Sequence, residues 1–197
     1  MVLSTNAFTN KMTETDEMNE VQQRIKDKFI EITELGLTDK AKYHAYEEVY
    51  PYIIDRFNGK ESNILEVGNG EGGGLRILSE LFPESKIYGI DYDGSILTID
   101  IEDTNIEVFE YDQTDPKIID VLPKLDLVIE DASHQFDASM KTFQLLEPLL
   151  NPGALYIIED VYPHFVDSYE ETGIFDMYDA TEIKNRKDDM LAVYTKK

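Results

Sequence analysis

The sequence predicts an α/β fold: a mostly parallel, seven-stranded sheet with an antiparallel C-terminal strand and helices on both faces. Three observations lead to this prediction. Short apolar runs alternate with helical stretches from residue 63 onward, the pattern of a parallel sheet covered by helices. A glycine-rich run follows the first apolar run directly. The last two apolar runs are separated only by a polar stretch too short for a crossover helix, so they should pair antiparallel.

The part of the chain before this alternating pattern is expected to be mainly helical. Residues 1–15 have the composition of a flexible tail. Apolar residues at helical spacing predict a first helix over about 16–35. A second helical stretch covers about 40–57, where Pro51 should break or kink the helix.

The predicted strands of the parallel sheet are short and continuously apolar, as is typical when both faces are buried. They are Ile64–Val67, Ile87–Ile90, Ile106–Phe109, Leu125–Ile129 and Leu155–Ile158. The helices predicted between them are Gly73–Phe82, a short piece near Ser95–Ile101, Ile118–Leu122 and Phe136–Leu150. The predicted antiparallel pair is Phe175–Thr181 with Met190–Thr195.

Composition narrows the classes of function. The chain carries 41 acidic and 18 basic residues, a formal net charge of −23, which repels nucleic acid and anionic membranes and favours a small neutral or cationic substrate. The acidity could also serve solubility alone. Without cysteine there is no disulfide, thiolate zinc site or thiol nucleophile. No apolar run approaches the ~20 residues that span a bilayer. A cytoplasmic protein of one domain is expected, and a homo-oligomer is compatible with the sequence.

The glycine-rich run, residues 68–74, lies between a predicted strand and a predicted helix. Glycines permit a tight turn and let a ligand approach the backbone, and the free N–H groups at the helix start face that ligand. Asp91 ends the next strand, 23 residues after Gly68. An acid at this spacing is placed to accept hydrogen bonds from ribose hydroxyls. The sequence therefore predicts a site for an adenosine-containing cofactor. The candidate cofactor-binding residues are Glu66, Gly68, Asn69, Gly70, Gly72, Asp91, Tyr92, Asp112, Gln113 and Asp131.

Two cofactors fit this pattern. Gly68, Gly70 and Gly73 also match the dinucleotide fingerprint, so an NAD-dependent oxidoreductase is one interpretation. Glu66 favours S-adenosylmethionine (AdoMet), because a carboxylate before the loop would repel a pyrophosphate and suits the ammonium group of AdoMet. The antiparallel C-terminal strand pair favours AdoMet too, because Rossmann-type methyltransferases end in this way. A non-catalytic AdoMet-binding protein is a third interpretation.

Acidic residues also follow the fourth and fifth predicted strands. Asp131 ends one of these strands, and Glu159 and Asp160 end the other. Because the carboxyl ends of parallel strands form the ligand-binding edge of such sheets, the three carboxylates are expected to converge. Their mutual repulsion calls for a cation, and oxygen ligands suit Mg²⁺. His134 lies at the same edge and is a candidate general base.

Several motifs together resemble a known family, the Mg²⁺-dependent sugar O-methyltransferases of antibiotic biosynthesis, such as those acting on mycinamicin and tetracenomycin. The cephalosporin hydroxylase family carries similar motifs. The resemblance runs from about residue 36 to the end, and D-x-S-H combined with I-E-D is its most specific part. The segments that carry it are Thr38–Lys40, His44–Tyr46, Tyr50, Glu66–Gly73, Tyr88–Asp91, Asp112–Gln113, Asp131–His134, Pro152–Asp160 and Asp188–Leu191.

The resemblance implies a class I AdoMet-dependent methyltransferase with a Rossmann-like fold. It implies N-terminal helices over 16–60 and a catalytic domain over 61–197. By position it implies metal ligands at Asp131, Glu159 and Asp160, a catalytic base at His134 and a ribose-binding acid at Asp91. The implied reaction is Mg²⁺-assisted O-methylation of a small hydroxylated molecule, a sugar or a glycosylated natural product. The sequence assigns no role to Lys40, His44 or Tyr46.

Overall fold

The computed structural model describes residues 18–102 and 104–197, in which seven strands form one sheet in the order β3-β2-β1-β4-β5-β7-β6. The strands are β1 Asn63–Val67, β2 Lys86–Asp91, β3 Ile106–Glu110, β4 Leu125–Glu130, β5 Leu150–Ile158, β6 Asp176–Asp179 and β7 Met190–Thr195. Strands β1–β5 are parallel, whereas β7 runs antiparallel to both β5 and β6. The predicted fold class is confirmed. The strand order reverses beside β1, where ligands bind in open α/β sheets.

Helices cover both faces of the sheet. They are α1 Glu20–Glu34, α2 Tyr46–Ile54, α3 Gly73–Leu81, α4 Ile118–Val121, α5 Phe136–Leu146, α6 Val166–Thr172 and α7 Thr181–Lys184. Successive strand residues point to opposite faces, so Ile64 packs in a core with α1–α3 while Leu65 packs in a second core with α4–α6. We call these the first face and the second face. None of the described helices combines the length and apolarity that crossing a bilayer requires.

The N-terminal helices pack on the first face. Helix α1 begins with Asn19, whose side chain accepts the N–H groups of Val21 and Gln22 in a capping box. Its apolar stripe of Ile25, Phe29 and Ile32 is buried. The predicted tail over 1–15 lies outside the described residues, and the predicted division at residue 60 stays a prediction.

The second helical stretch differs from its prediction. Helix α2 begins only at Tyr46, because residues 40–45 form turns that bring Lys40 and His44 to the edge of the sheet. Pro51 was expected to interrupt the stretch, but α2 continues through it to Ile54. A proline inside a helix costs about 3 kcal/mol. Burial of the surrounding apolar side chains offsets that cost.

Two further helix predictions need correction. The piece near 95–101 is only one 3₁₀ turn, Gly94–Ile96, because the Asp93 side chain accepts the Ser95 N–H at 3.0 Å and favours a local turn. The helix predicted to end at Leu150 ends at Leu146, and Leu150 already belongs to β5. Pro148 follows α5 closely and lacks the N–H that an α-helical hydrogen bond needs, and residues Glu147–Leu149 form a 3₁₀ turn instead.

Candidate active site

A cavity of about 320 Å³ opens at the carboxyl ends of β1, β2 and β4, a size within the usual range of ligand pockets. Its wall includes seven of the candidate cofactor residues: Gly68, Gly70, Asp91, Tyr92, Asp112, Gln113 and Asp131. The side chain of Tyr92 is 75% exposed at the rim. The structure therefore brings most of the predicted cofactor residues to one place, at the point where the strand order reverses.

The glycine loop forms one wall of this cavity. Gly68 and Gly70 both have positive φ, +85° and +45°. A side chain at Gly68 would collide with the backbone of Asp131, so glycine lets β1 and β4 approach each other here. The loop is held by Asp91, whose Oδ2 accepts the Gly70 N–H at 2.9 Å. Asp91 thus connects the loop to the end of β2.

Three candidate cofactor residues lie behind this wall rather than on it. Glu66 points to the first face, because alternation along β1 directs it away from Leu65 and Val67. Its carboxylate lies under the start of α3, where a side chain at Gly74 would collide with it. Burial raises the pKa of Glu66 to about 7, although Lys40 opposes the shift from 3.7 Å.

Asn69 and Gly72, the other two, serve the shape of the loop. Asn69 is buried, and its Oδ1 packs against Gly89 of β2. Gly72 precedes α3 with φ +94°, and a side chain there would collide with Leu97 and Ile99. These contacts explain why glycine is needed at positions 72 and 89.

Asp112 lies on the wall opposite the glycine loop. Its Oδ1 accepts the Thr114 hydroxyl at 2.7 Å and the Thr114 N–H at 2.8 Å. These hydrogen bonds lower the pKa of Asp112, so the side chain is an ionised acceptor at the cavity rim.

Asp131, His134 and Asp160 form a cluster beside the cavity. Each of the three offers a ligand atom, and these atoms all lie within 4.8 Å of one another. His134 and Asp160 have φ of +53° and +54°, a left-handed conformation that non-glycine residues adopt rarely and often at functional sites. The tertiary structure thus places the predicted base next to two of the predicted metal ligands.

Glu159, the third predicted metal ligand, lies on the first face with a different set of partners. Its buried carboxylate binds the Lys40 ammonium and accepts the Tyr50 hydroxyl. Lys40, itself only 5% exposed, also donates to Asp131 Oδ2 at 2.7 Å. Glu159 also interacts with Asp131, but it is outside the group of ligand atoms that Asp131, His134 and Asp160 form.

The charges of this edge are strongly coupled. Burial raises the pKa of Glu159 well above its usual value, against the attraction of Lys40. Burial also favours a raised pKa for Asp131. The charge and the hydrogen bond of Lys40 outweigh burial there, so the pKa of Asp131 is lowered. Lys40 therefore acts as an internal counter-ion to both carboxylates. Sequence reasoning missed this role, since the lysine lies 91 residues before Asp131 with no local signal of the contact.

Tyr46 and His44 fix Asp160. The Tyr46 hydroxyl donates to Asp160 Oδ1 and accepts the Asp160 N–H at 3.0 Å. His44 Nδ1 lies 3.2 Å from Asp160 Oδ1 and 2.7 Å from Asp189 Oδ1. The turn before α2 thereby holds the strained end of β5 in place.

Aromatic rings continue outward from His134. The ring of Tyr162 meets the imidazole edge to face, with centroids 6.2 Å apart, and stacks on His164 at 5.7 Å. His164 is exposed and Tyr162 is half-buried. These rings form an accessible aromatic surface directly beside the predicted base.

Comparison with known proteins assigns the chain to a family. The model of the FtsJ-like methyltransferases matches residues 42–176, which include the glycine loop, the cavity and the acidic cluster. The chain belongs to the FtsJ-like methyltransferase family. The predicted resemblance to O-methyltransferases of antibiotic biosynthesis is confirmed by two curated relatives.

Two curated relatives are O-methyltransferases. One is the 8-demethyl-8-alpha-L-rhamnosyl tetracenomycin-C 2'-O-methyltransferase of Streptomyces olivaceus, 28% identical over 68% of this chain and 39% of that protein. Another is the mycinamicin VI 2''-O-methyltransferase of Micromonospora griseorubida, 33% identical over 60% of this chain and 32% of that protein. The chain thus spans less than half the length of these relatives.

A solved structure agrees with this comparison. The MycE methyltransferase of the mycinamycin pathway, in complex with Mg, SAH and mycinamycin VI, has a TM-score of 0.58 and 26% identity to the chain. The match covers 78% of this chain and 39% of that one.

Proposed function

We propose that this methyltransferase transfers the methyl group of AdoMet to a hydroxyl of a small molecule, a sugar or a glycosylated natural product. The observation that carries the proposal is the continuity of one cavity from the glycine loop and Asp91 to Asp131, with His134 beside it. The NAD alternative is less favoured, because the relatives named above are methyltransferases.

The cavity residues fit AdoMet. Glycine at 68 and 70 lets a ligand approach the backbone, and Asp91 lies where ribose hydroxyls would donate to its carboxylate. Asp112 is the acceptor on the adenine side in this assignment. Bound AdoMet supplies an electrophilic methyl group on a sulfonium. Holding that group and the acceptor in line is expected to provide much of the acceleration.

The acidic cluster fits a divalent cation. Asp131 and Asp160 contribute the hard oxygen donors that Mg²⁺ prefers, and the MycE structure named above contains Mg. Glu159 would complete the proposed ligand set only by exchanging its contact with Lys40 for the metal. A bound Mg²⁺ would lower the pKa of a coordinated hydroxyl.

His134 is the proposed general base. Its Nε2 lies 3.9 Å from Asp160 Oδ2, so a carboxylate is available to stabilise the imidazolium after proton uptake. The stacked rings of the half-buried Tyr162 and the exposed His164 offer a flat aromatic surface on which the acceptor can rest. The net charge of −23 disfavours nucleic acid as that acceptor.

A methyl-transfer screen tests the proposal. The protein is incubated with radiolabelled AdoMet, Mg²⁺ and a panel of rhamnosylated polyketides, macrolide glycosides and catechols, with and without EDTA. We expect transfer to a glycoside, loss with EDTA and recovery with excess Mg²⁺. Transfer that is indifferent to EDTA would remove the metal from the proposal. AdoMet binding without transfer to any acceptor would favour the non-catalytic interpretation, and binding of NADH instead would favour the oxidoreductase.

A further inference from the structure

The side-chain amide of Gln113 is fully engaged inside the protein. Its Nε2 donates to Glu130 Oε1 and to Thr142 Oγ1, both at 3.1 Å. Its Oε1 accepts the backbone N–H of Ser133 at 3.1 Å. The residue lines the cavity, yet both donors and one acceptor position of the amide are directed at protein groups.

The orientation of this amide is determined by its partners. The N–H of Ser133 can only donate, so it must face the amide oxygen of Gln113. The nitrogen then faces Glu130, which accepts through its carboxylate. A reversed amide would put two donors together at Ser133 and two acceptors together at Glu130. The pair therefore has one low-energy arrangement.

Glu130, the acceptor in this arrangement, is buried and pairs with no cation among the described residues. It is 1% exposed at the end of β4 on the second face, and it makes no salt bridge with any described residue. This distinguishes it from Glu159, which binds Lys40. A buried carboxylate is costly without hydrogen-bond donors. Gln113 donates to it from the cavity wall, and Ser139 and the Ala132 N–H also act on it.

The other end of the arrangement is the turn that carries the proposed base. Ser133 is the residue before His134, whose backbone is held at φ +53°. The hydrogen bond from Ser133 to Gln113 ties this turn to the end of β3 across the cavity. A change at Gln113 would therefore release the peptide unit that joins Ala132 to Ser133, directly before His134.

We propose that Gln113 and Glu130 are positioning residues: Glu130 orients the amide of Gln113, and Gln113 holds the Ser133 N–H and so fixes the turn of His134. The consequence for catalysis rests on the proposed function, whereas the positioning itself does not. Gln113 contributes to the shape of the cavity, and its side-chain amide makes no hydrogen bond to the cofactor.

Exchanging the two side chains tests this directly. Gln113→Glu places an oxygen against Glu130, and we expect hydrogen exchange of the Ser133 N–H, followed by NMR, to accelerate about tenfold. The double variant Gln113→Glu/Glu130→Gln restores one donor and one acceptor in the right order, so exchange should return to within about twofold of wild type. If the Ser133 N–H exchanges as fast in the double variant as in Gln113→Glu, the proposal is overturned.

Two controls accompany this exchange. Asn151 donates to Asp126 at 2.8 Å at the opposite end of the same strands, so Asn151→Asp repeats the charge change away from the turn and should leave Ser133 unaffected. Equal acceleration in Asn151→Asp would reduce the effect to general destabilisation and overturn the proposal. If Gln113→Glu fails to fold, Gln113→Met removes the hydrogen bonds without adding charge and should accelerate the same exchange.

AdoMet affinity separates positioning from direct contact. Calorimetric titration of Gln113→Met with AdoMet should give a Kd within about threefold of wild type, since the amide makes no cofactor contact in this proposal. A tenfold or greater loss would show that the amide binds the cofactor and would overturn it. If the wild-type protein transfers methyl groups, Gln113→Met should lower kcat by a larger factor than it raises KM for AdoMet. If the protein transfers no methyl group, the proposed function fails but the hydrogen-exchange result for Ser133 still stands. Failure of the proposed function and failure of the positioning proposal can therefore be distinguished.

Discussion

At the carboxyl edge of the sheet, the two faces stabilise their buried carboxylates in different ways. On the first face, the buried Glu159 is neutralised by Lys40 from the N-terminal segment. On the second face, the equally buried Glu130 binds the neutral amide of Gln113 and has no cation among the described residues. A buried ion pair fixes charge and depends on both partners, whereas a hydrogen-bonded amide fixes orientation. The first face therefore controls the charge of the acidic edge, and the second controls the geometry of the turn beside it.

The largest expected effect lies where the two faces meet, at His134. Replacing it with alanine should reduce methyl transfer by about 10²–10⁴-fold, since a general base contributes on that order. AdoMet binding, measured by calorimetry, should persist because His134 does not line the cofactor cavity. His164→Ala changes the proposed acceptor surface without touching the base, so its loss of transfer should be the smaller of the two. Full activity in His134→Ala would remove the base from the mechanism.

Loss of the ion pair on the first face should be the next largest effect. Lys40→Met leaves Glu66 and Glu159 buried without a cation, and breaking a buried pair in this way costs about 3–5 kcal/mol of unfolding free energy. Urea unfolding measures this loss, with Lys42→Met, an exposed neighbour, as the control. A loss under about 1 kcal/mol would mean that Lys40 is not the counter-ion of this edge.

The buried Glu130 on the second face should make the stability of the protein depend on pH. Burial raises the pKa of Glu130 to about 7, while the unfolded chain should titrate near the ordinary value of 4.5. Because the folded protein then binds more protons, stability from this group is complete below about pH 4.5 and is lost as the pH rises through about 7. Glu130→Gln should abolish this part of the dependence of unfolding free energy on pH. At pH 8 the variant should gain up to roughly 3 kcal/mol of unfolding free energy relative to wild type, less the cost of altered hydrogen bonds.

Denaturation of both proteins at pH 5 and pH 8 checks that expectation. Glu66 also has a pKa raised to about 7 by burial, so a residual slope should remain in Glu130→Gln. Identical slopes in variant and wild type would contradict the assignment to Glu130.

The smallest expected effect separates the two partners of Glu159. Tyr50→Phe removes the neutral donor and keeps the ion pair with Lys40, and it should cost about 1–2 kcal/mol of unfolding free energy. Tyr194→Phe removes a part-buried hydroxyl bonded to Glu147 and should cost less. A loss in Tyr50→Phe as large as in Lys40→Met would mean that the hydroxyl, and not the charge, dominates the first face.

Much of the site could be predicted from the sequence. The spacing from Gly68 to Asp91 placed the loop and the acid at one edge, because the alternation of strands and helices predicts that the strands are parallel. The expectation that Glu66 faces the cofactor was based on its position in the chain, and side-chain alternation along β1 instead directs it under α3. Whether Glu159 binds metal stays a prediction.

The sequence by itself determined the parallel sheet with its reversed last strand, the glycine turn and the strand ends that carry acids, because each depends on local patterns of size, polarity and spacing. Only the tertiary structure decided which partner each acid receives. Lys40 reaches Glu159 from 119 residues away, and Gln113 reaches Ser133 across the cavity. Such contacts depend on how distant segments pack on the two faces, and no local pattern encodes them.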